Sequence, residues 1–283
     1  MPRIVMLNGA FVDAADAKIS IMDRGFLFAD GIYEVSAVLN GRTIDNAPHL
    51  ARLDRSLKEI DIPNPYSTEE WIGFQNELIA RNGLIEGTVY IEVTRGAAER
   101  EFTYADDLAP TVVMFTQPKS IVASKLAESG AKVITVPDLR WARRDIKSVA
   151  LLPQVLAKQA AARVGAQEAW MVDEDGFVTE GASSSAFIVT HDGKLVTRPF
   201  TRTVLPGVTR LAITALIAET GLVLEERAFT IAEAQAAQEA FFTSASTFVA
   251  PVASLDGTLI GPGKPGPVAT KLREIYIQKA LAA

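Results

Sequence analysis

Two short segments carry the residue types from which amine chemistry can be built: Arg143-Arg144-Asp145-Ile146-Lys147-Ser148 and, about thirty residues on, Val178-Thr179-Glu180-Gly181. Lys147 stands between Ile146 and the apolar run Val149-Ala150-Leu151-Leu152. That setting is expected to desolvate the amine in part, and the neutral amine is the form that attacks a carbonyl. Glu180 precedes the small-residue loop Gly181-Ala182-Ser183-Ser184-Ser185, where a buried carboxylate can bond a protonated ring nitrogen. Together they offer an amine that condenses with an aldehyde cofactor and an anion that keeps the cofactor's ring protonated. Each residue alone also has an ordinary reading. Lys147 could be a surface lysine laying its stem over apolar neighbours, and Glu180 a glutamate in a solvated turn.

Such a cofactor carries a phosphate, and phosphate needs donors. Gly207-Val208-Thr209, after Pro206, opens a helix and offers backbone N–H groups, the positive end of the helix dipole and one hydroxyl. Ser244, Ser246 and Thr247 form a second cup, and Arg52 could supply charge. Taken singly, Pro-Gly before a helix is common punctuation and a helical arginine is commonly solvated. Tyr33 could line a pocket or fill the core. Arg95 and Arg100 bracket the loop Gly96-Ala97-Ala98-Glu99, from which an arginine could fork onto a substrate carboxylate or simply be solvated. His49, three residues before Arg52, is read as a supporting residue.

The elements that position these groups follow from periodicity. Residues 3–13 and 18–22 read as a hairpin, and residues 23–31 as a turn-rich aromatic stretch. Residues 32–39 alternate as a strand, with Tyr33, Val35, Ala37 and Leu39 on an apolar face. Leu50, Leu53, Leu57 and Ile60 recur at helical spacing, which puts His49 and Arg52 on another stripe of that helix. A helix over about 67–82 ends at Gly83, and strands follow at 88–95 and 111–117. Pro118-Lys119-Ser120 opens a polar connection to about Ser124, read as the domain boundary. Beyond it come strands at 131–136, 168–173 and 184–190, with Glu180 in a loop, and helices over about 153–164 and from Pro206 to Gly221. Thr230-Ile231-Ala232-Glu233 is a capping box, and residues 266–282 close the chain as a helix.

At 283 residues, 48% of them apolar, the chain is expected to split into two modest domains. Its 28 basic and 34 acidic residues give a net charge of −6, and no Lys/Arg cluster tracks a phosphate backbone, so a nucleic-acid partner is not expected. With no cysteine and two histidines, His49 and His191, disulfides, thiolate chemistry and a histidine-rich metal centre are excluded, and no metal is expected. No apolar run reaches the length of a membrane span, and the N-terminus reads as strand and turn. A soluble, cytoplasmic protein without a membrane partner is expected.

In this order, the residues resemble the fold-type IV pyridoxal-phosphate aminotransferases, over almost the whole chain. The matching pieces are residues 23–34 (DRGFLFADGIYE), 49–53 (HLARL), 145–148 (DIKS), 178–181 (VTEG), 205–210 (LPGVTR) and 243–246 (TSAS). The resemblance implies pyridoxal 5'-phosphate as cofactor and an α+β fold of two domains. The smaller would span 1–118, and the larger, 119–283, would carry Lys147, with the cofactor in the cleft between them. It also implies a homodimer whose subunits complete each other's sites. Lys147 would be the Schiff-base lysine, Glu180 the partner of the pyridine nitrogen and Arg52 the phosphate arginine. Gly207, Val208 and Thr209 would add phosphate donors, Leu205 would pack on the ring, and Ser183, Ser244, Ala245 and Ser246 would complete the cofactor contacts. Ala245 departs from the threonine usual in the family.

Within the family, Tyr33-Glu34-Val35 and the loop ending in Arg100 look most like the D-amino acid transaminases. There an arginine, matched by Arg100, and a histidine two residues later trap the substrate carboxylate from the partner subunit. Phe102 replaces that histidine, and Ala37 stands where a basic residue is common. Tyr33, Val35, Arg100 and Phe102 are therefore the expected substrate contacts. The implied reaction is ping-pong transfer of an amino group from an amino acid such as D-alanine to a 2-oxo acid. Branched-chain L-amino acids and (R)-amines stay open as substrates. From other classes, an aminodeoxychorismate lyase and a catalytically silent cofactor-binding protein fit the same residues.

Overall fold

Period-two alternation and Asn-Gly turn chemistry build the first sheet. The computed structural model describes residues 3–282. Strands β1 (Ile4–Leu7) and β2 (Ala10–Asp13) pair antiparallel, Ile4 opposite Asp13 and Leu7 opposite Ala10. Asn8 and Gly9 turn the chain at φ 49° and 84°, the left-handed pair that matches the twist of a two-residue hairpin. The hairpin thus closes within residues 3–13, and residues 18–22, expected as strand, carry none. With β3 (Gly31–Leu39), β4 (Arg42–Thr43), β5 (Gly87–Thr94) and β6 (Thr111–Pro118) the sheet is antiparallel throughout, ordered β2-β1-β6-β5-β3-β4.

Helices α1 (Arg24–Phe28), α2 (Asn46–Lys58) and α3 (Thr68–Asn82) belong to the same half of the chain. α3 starts in a capping box between Ser67 and Glu70 and ends at left-handed Gly83. Leu50, Leu53 and Leu57 of α2 join Trp71 and Leu78 of α3 in one core with Ile32, Val38, Ile91 and Met114 of the sheet. The two faces of β3 differ in burial. Its fully buried face carries Ile32, Glu34, Ser36 and Val38, whereas Tyr33 and Val35 on the apolar face are only half-buried. The buried polar residue Glu34 is tolerated there because α2 supplies its partners.

The second sheet is mixed and has nine strands: β7 (Ala131–Pro137), β8 (Glu168–Val172), β9 (Val178–Gly181), β10 (Ser185–Val189), β11 (Lys194–Thr197), β12 (Val223–Glu226), β13 (Glu239–Ser244), β14 (Phe248–Leu255) and β15 (Thr258–Leu259). Eight run in the order β12-β11-β10-β13-β14-β7-β8-β9, with β15 paired to β14. β7 lies parallel to β8 and β14, and β11 to β12. Helices α4 (Lys125–Ser129), α5 (Leu152–Arg163), α6 (Val208–Ala215), α7 (Ile231–Gln235) and α8 (Pro267–Ala282) accompany it, α6 packing on β13. α7 has the expected capping box between Thr230 and Glu233. The helix after Pro206 is shorter than expected; it ends at Ala215, and a tighter turn over Ile217–Glu219 follows.

The chain forms two compact units, Met1–Ser120 with Ile146–Ala150, and Ile121–Asp145 with Leu151–Ala283. The lysine segment, expected in the second domain, thus belongs to the first unit. The cause is local: Ile146 is buried in the first core, and Ile32 and Ser148 pair as an antiparallel bridge.

Candidate active site

Lys147 is fixed by strand-like pairing along β3. Tyr33 N–H donates to the Lys147 carbonyl at 2.9 Å, and Val149 N–H to that of Gly31 at 3.0 Å. Lys147 N–H reaches Ser56 Oγ on α2 at 3.4 Å. With its backbone held, the lysine places Nζ 4.1 Å from the centre of the Tyr33 ring. Tyr33 in turn stacks on Tyr90, and Tyr90 on Phe115, with centroids 5.8 and 4.6 Å apart. This aromatic row keeps the half-buried tyrosine at the lysine from turning into the core.

Beside it, Glu34 organises two cations of α2. Arg52 Nε donates to Glu34 Oε1 at 2.7 Å and its Nη2 to Oε2 at 2.8 Å, while His49 Nδ1 lies 2.9 Å from Oε2. All three side chains are buried. Burial by itself would raise the Glu34 carboxyl, but Arg52 and His49 hold it far below the ordinary carboxylate range. Burial also depresses His49, against the pull of Glu34 and with that of Arg52 and Lys147. The arginine is thereby clamped in one plane. Also in this unit, Arg100 and Phe102 lie on the exposed loop between β5 and β6, Arg100 5.4 Å from the centre of the Phe28 ring and Phe102 81% exposed.

In the second unit Glu180 lies on β9, fully buried, and not in a solvated loop. β9 exists because it pairs with β8, Trp170 opposite Gly181 and Val172 opposite Val178. Arg140 Nη1 bonds Glu180 Oε1 closely, and Leu205 N–H donates to both carboxylate oxygens at 3.2 and 3.3 Å. Arg140 also grips Asp138 Oδ2 at 2.7 Å, and Thr179 Oγ1 donates to that same oxygen at 2.7 Å. Burial pushes the Glu180 carboxyl up, against the opposing pull of Arg140 and the Leu205 N–H. Burial would likewise raise Asp138, but its bonds to Arg140 and Thr179 carry it below its ordinary value.

A family model for class IV amino-transferases matches residues 31–255. The D-alanine aminotransferase of Bacillus licheniformis is 39% identical over 277 residues, 98% of this chain and 96% of its own. That of Staphylococcus aureus strain N315 is 38% identical over 271 residues, 95% of each chain. The chain belongs to the class IV aminotransferases. The solved branched-chain amino acid aminotransferase of Escherichia coli superposes with a TM-score of 0.91, covering 99% of this chain and 95% of its own at 24% identity. This aminotransferase therefore has the fold-type IV architecture and depends on pyridoxal phosphate for its reaction between amino acids and 2-oxo acids.

The aminotransferase carries donors suited to that cofactor. Gly207 is the N-cap of α6, and no side chain caps the helix. A Cβ on Gly207 would stand 2.8 Å from Ser185 Oγ, so glycine lets the start of α6 lie close against β10. Val208 and Thr209 are buried there. Ser244 Oγ and Thr247 Oγ1 share a hydrogen bond of 2.7 Å, and Ala245 and Ser246 are half-buried in the turn after β13. Ser183 is exposed, whereas Ser184 is buried and donates to Glu168 Oε2 at 2.9 Å. Uncapped N–H groups and hydroxyls are the donor set that a phosphate takes, and the residues fit the group.

Two residues of this aminotransferase escaped the sequence reading. Glu34 had a signal, a lone acid on a strand face shared with Ile32 and Val38. Arg140 had only the crowding of Asp138, Arg140, Arg143, Arg144 and Asp145 between apolar stretches. Among the described residues no group of three or more His, Asp or Glu could hold a metal ion, and no helix is long and apolar enough to cross a membrane.

Proposed function

We propose that this aminotransferase takes its amino group from D-amino acids, D-alanine among them, and passes it to a 2-oxo acid such as 2-oxoglutarate or pyruvate in a ping-pong cycle. The observation that carries this reading is the similarity of nearly the whole chain to D-alanine aminotransferases, 38–39% identical. Bound pyridoxal phosphate supplies an aldehyde that accepts the amino group and a pyridinium ring that draws off an electron pair. Lys147 would hold the cofactor through its amine and, as the base of the site, would carry the proton between the substrate α-carbon and cofactor C4'. Its position over Tyr33, fixed by the pairing along β3, suits a base that must return to the same atom.

Glu180, held as a carboxylate by Arg140 and the Leu205 N–H, would pair with the protonated ring nitrogen. The Leu205 side chain would pack on the ring. Arg52, kept in plane by Glu34, would pair with the phosphate. Gly207, Val208 and Thr209 would add phosphate donors, and Ser183, Ser244, Ala245 and Ser246 would complete the cofactor contacts. Tyr33 and Val35 line the substrate side, and Arg100 meets the substrate carboxylate. Phe102, in the place of a second polar contact, favours the alternative of branched-chain L-amino acids or (R)-amines. A cytoplasmic homodimer completes the reading. Ile21, Phe26 and Phe102, all strongly exposed on and beside α1, are the kind of surface that a second copy covers.

The test mixes purified, cofactor-loaded protein separately with D-alanine and with L-leucine, without acceptor, and follows the visible absorbance of the bound cofactor. Bleaching by D-alanine alone is expected. Bleaching by L-leucine alone would move the protein to branched-chain substrates, and silence with both would point to an amine transaminase or a lyase.

A further inference from the structure

We infer that Arg24 is a positioning residue that holds the loop bearing Arg100 in place and so sets how tightly the substrate carboxylate is bound. This rests on the reading of Arg100 as the carboxylate arginine. The loop from Arg95 to Pro110 joins β5 to β6, and residues 99–107 are exposed, with few backbone bonds of their own. An exposed segment of this kind keeps one shape only if something outside it ties its carbonyls. Arg24, on α1 and 4% exposed, supplies that tie. Its Nη1 donates to the Glu101 carbonyl at 2.6 Å and its Nη2 to the Phe102 carbonyl at 3.3 Å, the two residues that follow Arg100. Its own N–H donates to Gly96 O at 2.8 Å, at the start of the loop.

The guanidinium is itself anchored. Nε donates to Asp30 Oδ2 at 2.8 Å, and Asp30 is gripped from its other side by Arg95, with Nε to Oδ2 at 2.8 Å and Nη2 to Oδ1 at 3.0 Å. Arg95 also reaches the Ile60 and Asp61 carbonyls, at 2.6 and 3.0 Å. Aromatic rings close the clamp. Phe28 lies 4.8 Å from the Arg24 guanidinium, and its ring centre is 5.4 Å from Arg100 and 5.5 Å from the Phe102 ring. Tyr104 lies against both Arg24 and Arg95, at 5.4 and 3.6 Å. Three donors fixed in one plane suit an acid and two carbonyls at once, which a lysine cannot match.

The test is steady-state kinetics of the cofactor-loaded enzyme with the amino donor that discharges its cofactor, for Arg24→Met, Arg100→Met and the double variant, each shown to retain the cofactor's absorbance. Each single change is expected to raise KM for the donor about tenfold with kcat within about threefold, and the double variant to match the singles, because both act through one contact. Effects that multiply in the double variant, or an unchanged KM in Arg24→Met beside a raised one in Arg100→Met, would overturn the inference. An unchanged KM in Arg100→Met would instead sink the reading of Arg100, and this role with it. Should Arg24→Met fail to fold, Arg24→Lys keeps the charge beside Asp30 without the fork. The same rise in KM is then expected, and a wild-type KM would contradict the role.

Discussion

Arg140 neutralises two buried carboxylates at once. Asp138 and Glu180 both lie against its guanidinium, and the side chain is 6% exposed. Arg140→Met is expected to leave Glu180 without its cation and Asp138 with Arg144 alone, 3.4 Å away, and to cost roughly 3–5 kcal/mol of stability, the range for breaking a buried ion pair. Denaturant unfolding of the loaded protein measures this, and a loss below about 1 kcal/mol would mean that water or Arg144 compensates. The same residue shows where sequence reading stops. Glu180 is recognisable from its place before a small-residue loop, but a charged residue four positions after Val136 looks like solvated connection. Its burial follows from the pairing of β9 with β8, a contact between segments whose sequences carry no mark of each other. Lys147 was more legible, since an apolar setting and a neighbouring Asp-Ile mark it within six residues.

β3 and α2 act as one element through Glu34, and their response to pH follows. Burial holds the folded His49 imidazole below its ordinary value of 6.5. As the pH falls through about 6.5 the unfolded chain binds a proton on this ring, while the folded chain binds one only at lower pH. Between those values the unfolded state holds more protons, so folding stability drops as acid is added. The Glu34 carboxyl, held far below its ordinary value of 4.5, adds stability above that value and loses it progressively as the pH falls below about 5, so it gives little slope in this window. His49→Gln is therefore expected to lose less stability than the parent between about pH 7 and about pH 5. Equal slopes by chemical unfolding at several pH values would refute this. The periodicity of Leu50, Leu53 and Leu57 made α2 legible, and alternation made β3 legible. Which face of β3 is buried was not, because the choice lies with the partners α2 brings to Glu34. The four-residue strand β12 was illegible for a related reason, being defined by its pairing with β11 and too short to show a period.

At the scale of the molecule, the two units were legible in outline from length and from the polar stretch near Pro118, but the return of Ile146–Ala150 to the first unit was not. That return places the lysine beside the strand that carries Tyr33 and Glu34, and it depends on Ile146 finding the first core. The proposed homodimer gives a direct expectation: sedimentation of the loaded protein should report twice the chain mass of 30.4 kDa, and a monomer with full activity would contradict it. The central claim is transfer of an amino group through Lys147. Its most direct test is to incubate the enzyme and Lys147→Ala with D-alanine and 2-oxoglutarate and to quantify both products and their handedness. Equal amounts of pyruvate and D-glutamate from the enzyme are predicted, with a loss of at least about a thousandfold in the folded Lys147→Ala variant. Pyruvate without glutamate, L-glutamate as the product, or sustained turnover by the variant would contradict the account.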